Sequence, residues 1–360
     1  MKRLALLTCL LTVFALAGYA QKLAKPTKTS SPPTAAQSAL IHEGIALHDE
    51  KKYDEAIAKY QAVLLENPDC TAAMYEMAYS LSEKGQDEKA IELANIGSKY
   101  ICDELPIFYV LMANIVDSHY KQPAAAIKIY KEGLKLLNGN TQFASYRSSL
   151  NFNLGVTYFQ QKQYSDAKAS FKASVEDNRK YPSPSYLLSE VYRGMGYKIP
   201  AIFAASRFIS LEYTSERSRQ AAATITELLK APRKDPKTGK VQIDLSLNSP
   251  KDEGDFNVLD LLLSITMVAT DKEKDKNMTE NERFISSLRT IFAMASEDKK
   301  LRSTFVGKQY IPFFIEMEKN GFIEVFGNLT LFLSGNTEAR DWLRENDAQL
   351  KSFVEWSKAY

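Results

Sequence analysis

From Gly44 to Pro68 the chain reads GIALHDEKKYDEAIAKYQAVLLENP, and from Gly155 to Asn178 it reads GVTYFQQKQYSDAKASFKASVEDN. Each stretch places a Gly, then a Tyr nine residues on, then an Ala, then an aromatic four residues after the Ala. The Ala recurs as Ala56, Ala90, Ala126, Ala167 and Ala201, at spacings of 34, 36, 41 and 34 residues. Four positions after it stand Tyr60, Ala94, Tyr130, Phe171 and Ala205; twelve before it, small residues recur as Gly44, Ala78, Gly155 and Ser189. A fixed period of this length marks a stacked array, in which no unit buries its apolar face alone and each must pack on its neighbour. The small residues let helix backbones approach closely, and the aromatics fill the seam to the next unit. These are packing residues, and their loss is expected to destabilise the array rather than delete an activity.

The register resembles the tetratricopeptide repeat, a 34-residue helix-turn-helix unit. The first unit carries the resemblance through Gly44, Tyr53, Ala56, Tyr60 and Pro68, the fourth through Leu154, Gly155, Tyr158, Tyr164, Ala167 and Phe171. Short insertions in the middle units are expected near Gln122-Pro123 and Asn138-Gly139-Asn140, where turn formers cluster. The resemblance implies a right-handed α-solenoid over residues 37–230, with about five units and a degenerate helix from Ser215 to Lys230; with the helical patterning that follows, the chain reads as all-α, ending in an α-helical C-terminal domain.

In that family the first helix of each unit lines a concave face. Carried onto this sequence, the register assigns Ile41, Ile45 and His48 from the first unit, and Tyr75 and Tyr79 from the second. Val110, Asn114 and Asp117 come from the third, Phe152 and Phe159 from the fourth, and Tyr186, Glu190 and Arg193 from the fifth. An aromatic groove with a few polar groups suits an extended peptide or a partner helix. It lacks the repeated Lys and Asn pairs with which some members clamp acidic C-termini. The same aromatics serve equally well as packing for the next helix.

The first twenty residues read differently. Lys2 and Arg3 precede an apolar run from Leu4 to Ala17, and Gly18-Tyr19-Ala20 supplies small residues for cleavage before Gln21. That is the layout of a secretory signal peptide, too short for a comfortable membrane span. Cys9 raises lipidation, but Leu6-Leu7-Thr8 is a poor approach to such a site. Residues 21–36, rich in Lys, Pro, Ser and Thr, read as a flexible leader. The full chain carries a net charge of +2; without the first twenty residues, 44 basic and 44 acidic side chains balance. No basic tract accompanies an aromatic platform, so nucleic acid is not an expected partner. Cys70 and Cys102 fall in successive inter-repeat turns, where helix spacings of roughly 8–10 Å favour two unpaired thiols over a bridge.

Chemistry-bearing motifs are absent. His42 and His48 lie six apart, on different helix faces, and His119 stands alone, so no metal pair is expected. There is no Gly-x-Ser-x-Gly, phosphate-binding loop or paired-Cys zinc pattern, and Gly194-Met195-Gly196 reads as a turn. Neither a cofactor nor catalysis is expected.

Residues 231–255 form a linker punctuated by Pro, Gly and Ser, with Val241, Ile243, Leu245 and Leu247 alternating as a possible short strand. Residues 256–360 return to helical patterning without the repeat register. Helices are expected over Phe256–Thr270, from a Thr279/Glu282 capping box to Ser296, and over Ser303–Lys319, Phe322–Leu333, Thr337–Glu345 and Asp347–Ala359. Asp260, Asp271, Glu316 and Glu324 show no pairing and read as solvated. The ending, from Trp342 to Asn346 and from Phe353 to Lys358, resembles the tails of exported repeat proteins of the Bacteroidetes group.

Three functional classes fit. The first is an exported, periplasmic or extracellular adaptor that holds a protein or peptide partner in its groove. The second is an architectural subunit of an envelope complex. The third is a ligand-binding or enzymatic C-terminal domain recruited by the array; a large apolar pocket with converging acids in residues 256–360 would favour it.

Overall fold

The computed structural model describes residues 25–230, 252–269 and 278–360. The signal-peptide reading with Cys9 and Gln21, the alternating run at 241–247 and Asp271 lie outside those residues. The chain is an α-helical solenoid followed by further helices, with nineteen α-helices among the described residues. It divides into two compact units, one ending at Ser170 and one beginning at Phe171.

The first unit holds α1 (Ala35–Asp49), α2 (Tyr53–Glu66), α3 (Thr71–Glu83), α4 (Asp87–Gly97), α5 (Leu105–Ser118), α6 (Pro123–Leu137) and α7 (Ala144–Gln160). The following helix, α8 (Tyr164–Asp177), spans the division between the units. Consecutive helices of the first unit pack pairwise, and each first helix also packs on the next first helix, α1 on α3, α3 on α5 and α5 on α7. The second helices make no comparable contact with one another. The first helices therefore form the tight inner layer of this unit.

All five repeated alanines are 0% exposed. The helix ends follow the same register. Lys51, Gly85, Lys121, Lys162 and Gly196, each five residues before a repeated Ala, take left-handed backbone with φ between 56° and 82°. In four of the five turns the next N–H reaches back five residues into the first helix, as Lys52 does to Leu47 at 2.9 Å and Tyr197 to Tyr192 at 2.8 Å. This is the Schellman ending of a helix, which satisfies carbonyls the helix leaves open.

Residues from Lys25 into the expected leader lie along the repeats. Lys28–Thr29 (β1) pair in parallel with Tyr100–Ile101 (β2), Ser31 N–H donates to the Asp69 carbonyl at 3.0 Å, and Thr34 with Gln37 forms a capping box at the start of α1.

The second unit contains α9 (Pro182–Gly194), α10 (Lys198–Leu211), α11 (Glu216–Leu228), α12 (Asn257–Ala269), α13 (Glu280–Glu297), α14 (Lys299–Ser303), α15 (Phe305–Gln309), α16 (Ile311–Lys319), α17 (Ile323–Leu333), α18 (Thr337–Glu345) and α19 (Asp347–Ala359). The expected Ser303–Lys319 helix is broken at Tyr310. Pro312 starts α16, and its ring and missing N–H forbid continuation of the preceding turn. Every residue of α10 from Ile199 to Ser210 is buried, because α9, α11, α12, α15 and α19 all pack on it. Its Phe203 meets Phe292 and Phe314, which stack on each other at 4.1 Å. In α19, the Ser357 hydroxyl donates to the Ser210 carbonyl at 2.9 Å. The C-terminal helices thus complete the core that the last repeat helices begin.

Candidate functional site

The side chains assigned to the inner layer separate into two groups. In the first unit, Tyr75 and Tyr79 sit one turn apart on α3 and their rings stack at 6.2 Å. His48, from α1, stacks on Tyr79 at 4.7 Å and is held by a 2.7 Å hydrogen bond between its Nδ1 and the Ser80 hydroxyl. Tyr53 meets the edge of His48 at 5.3 Å, and the buried Phe108 meets the edge of Tyr75 at 6.0 Å. The result is a row of aromatic rings across α1, α3 and α5. It is anchored on the core at Phe108 and open at Tyr79, which is 37% exposed.

Burial pushes the Tyr75 phenol up to about 12, with Glu76, Tyr79 and Tyr146 adding to the effect. Tyr79 is also raised, by burial first and then by Glu83, Tyr53, Glu76 and Asp49. The Glu76 carboxyl is held above its ordinary value by burial, then by the charges of Asp49 and Glu104. Asp49, Glu76, Glu83 and Phe108 belong to this face but lie outside the positions that the repeat register assigns, and Tyr53 enters that register only as a packing residue. The stripe Tyr75, Glu76, Tyr79, Glu83 has helical spacing and was the available signal.

Other assigned residues lie elsewhere. Ile41 is a correction: it is buried with Ala56, Tyr60, Val63 and Cys70 and offers no surface, because the close approach of α2 covers it. Ile45 is half-buried and packs on the same core. Val110 and Phe152 are half-buried. Asn114 accepts a 2.5 Å hydrogen bond from the Tyr130 hydroxyl, and Asp117 accepts one of 2.6 Å from Thr157. These two polar groups tie α5 to α6 and α7. Phe159 meets the edge of Tyr164 at 5.7 Å.

In the second unit, Tyr186, Glu190 and Arg193 come together on α9, where α11 engages two of them. The Tyr186 hydroxyl donates to Gln220 at 2.6 Å under the Arg217 guanidinium, and Glu190 accepts from Arg193 at 2.8 Å and from Thr224 at 3.4 Å.

Residues 47–101 and 148–180 each match the tetratricopeptide repeat. The chain carries tetratricopeptide repeats. A thermophilic protein of this type from Thermus thermophilus is 17% identical, covering 53% of this chain and 99% of that one at a TM-score of 0.41. PilF of Pseudomonas aeruginosa is 18% identical, covering 53% and 84% at 0.46. PilW, a type IV pilus biogenesis factor, is 13% identical, covering 75% and 98% at 0.40. No curated protein matches the sequence.

The second unit also holds an open cavity of about 750 Å³ lined by Leu329, Phe332, Leu343, Arg219, Arg340 and Arg344, with Asp347 its single acid. Asp260 is another correction: it is buried, not solvated, and pairs with Lys198 at 2.6 Å because α12 packs on α10. Glu316 pairs with Lys319, and Glu324 is exposed. Among the described residues no group of His, Cys, Asp and Glu is arranged to hold a metal, and no helix is long and apolar enough to cross a membrane. Cys70 and Cys102 are free thiols, and burial raises both, Cys102 to about 11.

Proposed function

We propose that this chain is a non-catalytic adaptor that holds a peptide or partner helix against the inner helices of its repeats. The observation that carries the reading is the aromatic row of His48, Tyr79 and Tyr75, whose rings stack in order and whose middle ring, Tyr79, is exposed. Stacked, partly buried tyrosines present large contact area at low entropic cost, which is the character of interface anchors. Repeats of this kind build extended binding surfaces, and protein partners follow from the architecture. The N-terminal pattern from Lys2 to Gln21 supports a location outside the cytoplasm, in the periplasm or beyond, where the adaptor would assist envelope assembly.

A crosslinking pull-down from the native envelope tests the reading, with the intact protein beside a Tyr75→Ala/Tyr79→Ala/Phe152→Ala variant matched for circular dichroism. Selective loss of a partner supports recognition on the inner face. Identical partner sets for the two proteins would sink it and turn attention to the outer surfaces.

A further inference from the structure

The inner helices of the first three repeats have one sign of charge, whereas α7, the fourth, carries Arg147. Helices α1, α3 and α5 together carry five carboxylates, Glu43, Asp49, Glu76, Glu83 and Asp117, and no lysine or arginine. The second helices of the same repeats mix signs, with Lys59, Lys89, Lys128, Lys131 and Lys135 among their acids. Two of the five inner acids are already engaged, Glu43 by Lys59 at 2.7 Å and Asp117 by Thr157 at 2.6 Å. Asp49, Glu76 and Glu83 have no ion-pair partner among the described residues. The nearby cations Lys52 and Lys84 are held by Glu50 and Asp54.

These three carboxylates border the ring row. Glu76 and Glu83 share a helix stripe with Tyr75 and Tyr79, and Asp49 follows His48 at the end of α1. A tyrosine face attracts a cation through its ring quadrupole, and a carboxylate beside it completes the site. Glu76 is half-buried without a counter-ion, so its charge has an unmet electrostatic demand that an arriving cation fills.

We infer that the partner segment bound by this face is basic: a peptide or helix whose lysine or arginine side chains lie over Tyr75 and Tyr79 and reach Asp49, Glu76 and Glu83. The inference rests on the adaptor reading and names the chemistry of its partner. Complementary charge steers encounter and rejects acidic segments, while the rings supply contact area.

The test is a fluorescence-anisotropy titration of the full chain with a synthetic amphipathic Leu/Lys peptide and its Leu/Gln and Leu/Glu counterparts. The lysine peptide is expected to bind, more weakly as salt rises, and the glutamate peptide to be rejected. Glu76→Gln and Glu83→Gln should each weaken the lysine peptide by about three- to tenfold, and Tyr75→Ala/Tyr79→Ala by more, with circular dichroism unchanged. If the glutamine peptide binds as tightly and still depends on the two tyrosines, the basic-partner inference falls and the adaptor reading stands. If the lysine peptide binds independently of the tyrosines and acids, or not at all, the inference is overturned. The native pull-down then decides the adaptor reading separately.

Discussion

The Tyr60 ring lies so close over Gly44 that a methyl group on Gly44 would stand 2.5 Å from the ring's Cε1. Gly44 sits in α1 and Tyr60 in α2, both buried, so the contact sets the distance between the two helices of the first repeat. Gly97 and Phe108 do the same between the second and third repeats, where an added methyl would stand 2.2 Å from the ring. Gly44→Ala should therefore destabilise the chain by about 2 kcal/mol through overpacking. Urea unfolding followed by circular dichroism measures it; an unchanged midpoint would mean that the helices separate without cost.

Packing of this kind is why so much of the fold is legible in the sequence. Ala56, Tyr60 and Gly44 answer to a single geometric demand, which most units meet with residues of the same kind, so they recur visibly. The left-handed turn recurs just as strictly, but its residue does not. Gly85 and Gly196 announce it, whereas Lys51, Lys121 and Lys162 occupy the same backbone state unannounced. Partner recognition leaves no period at all. The register points to His48, Tyr75 and Tyr79, but it cannot separate them from Ile41, because lining and core positions sit side by side on one helix. The acids beside the rings belong to the first unit alone and have no counterpart to be matched against.

Those lysines lead to a prediction of increased stability. A side chain with a Cβ in the left-handed region costs roughly 1–2 kcal/mol, part of which glycine's greater freedom in the unfolded chain offsets. Lys162 is exposed and ends α7 with φ at 59°. Lys162→Gly should raise stability by about 0.5–1 kcal/mol. Thermal denaturation checks it, with the neighbouring exposed Gln161→Gly as a control that should lower the transition.

In the second unit the sharpest test is Phe314, 1% exposed and packed among the rings of Phe203, Phe292 and Phe313. Phe314→Ala should cost about 3–5 kcal/mol. Hydrogen exchange should show the protection lost first in α10, α13 and α16, the helices that share the ring cluster. Loss confined to exposed helix ends would contradict that placement.

Arg207 of α10 is a buried cation, 3% exposed, whose Nη1 has no hydrogen-bond partner and whose guanidinium lies 4.2 Å from the Phe313 ring centroid. Burial weighs against its charge and pushes its pKa below the ordinary guanidinium value. Arg207→Met keeps the stem and removes the charge, so stability should hold or rise by about 1 kcal/mol, whereas Arg207→Ala should lose packing and fall. Chemical denaturation of the pair separates the two effects. If the Met variant fell as far as the Ala variant, the charge itself would be stabilising.

Glu76 sets stability against binding. Its carboxyl is raised in the folded chain by burial, Asp49 and Glu104, so the folded state holds the proton more tightly than the unfolded state does. Stability linked to that proton is present below the ordinary carboxylate value of 4.5 and is lost as pH rises through the folded value. Above the folded value the ionised group is therefore a liability, and Glu76→Gln should raise the melting temperature there, with the advantage fading as pH falls through the folded value and gone below 4.5. Asp49, Glu104, Tyr75, Tyr79 and His48 surround the same position and must be kept intact in the comparison. The substitution should at the same time weaken the Leu/Lys peptide. A residue that costs the free protein stability and offsets that cost only on contact with a cation is kept for the contact. Melting curves at several pH values, set beside the peptide titration, give both readings on one variant. A Gln variant less stable at neutral pH would mean that Glu76 is held by the fold and not by its partner.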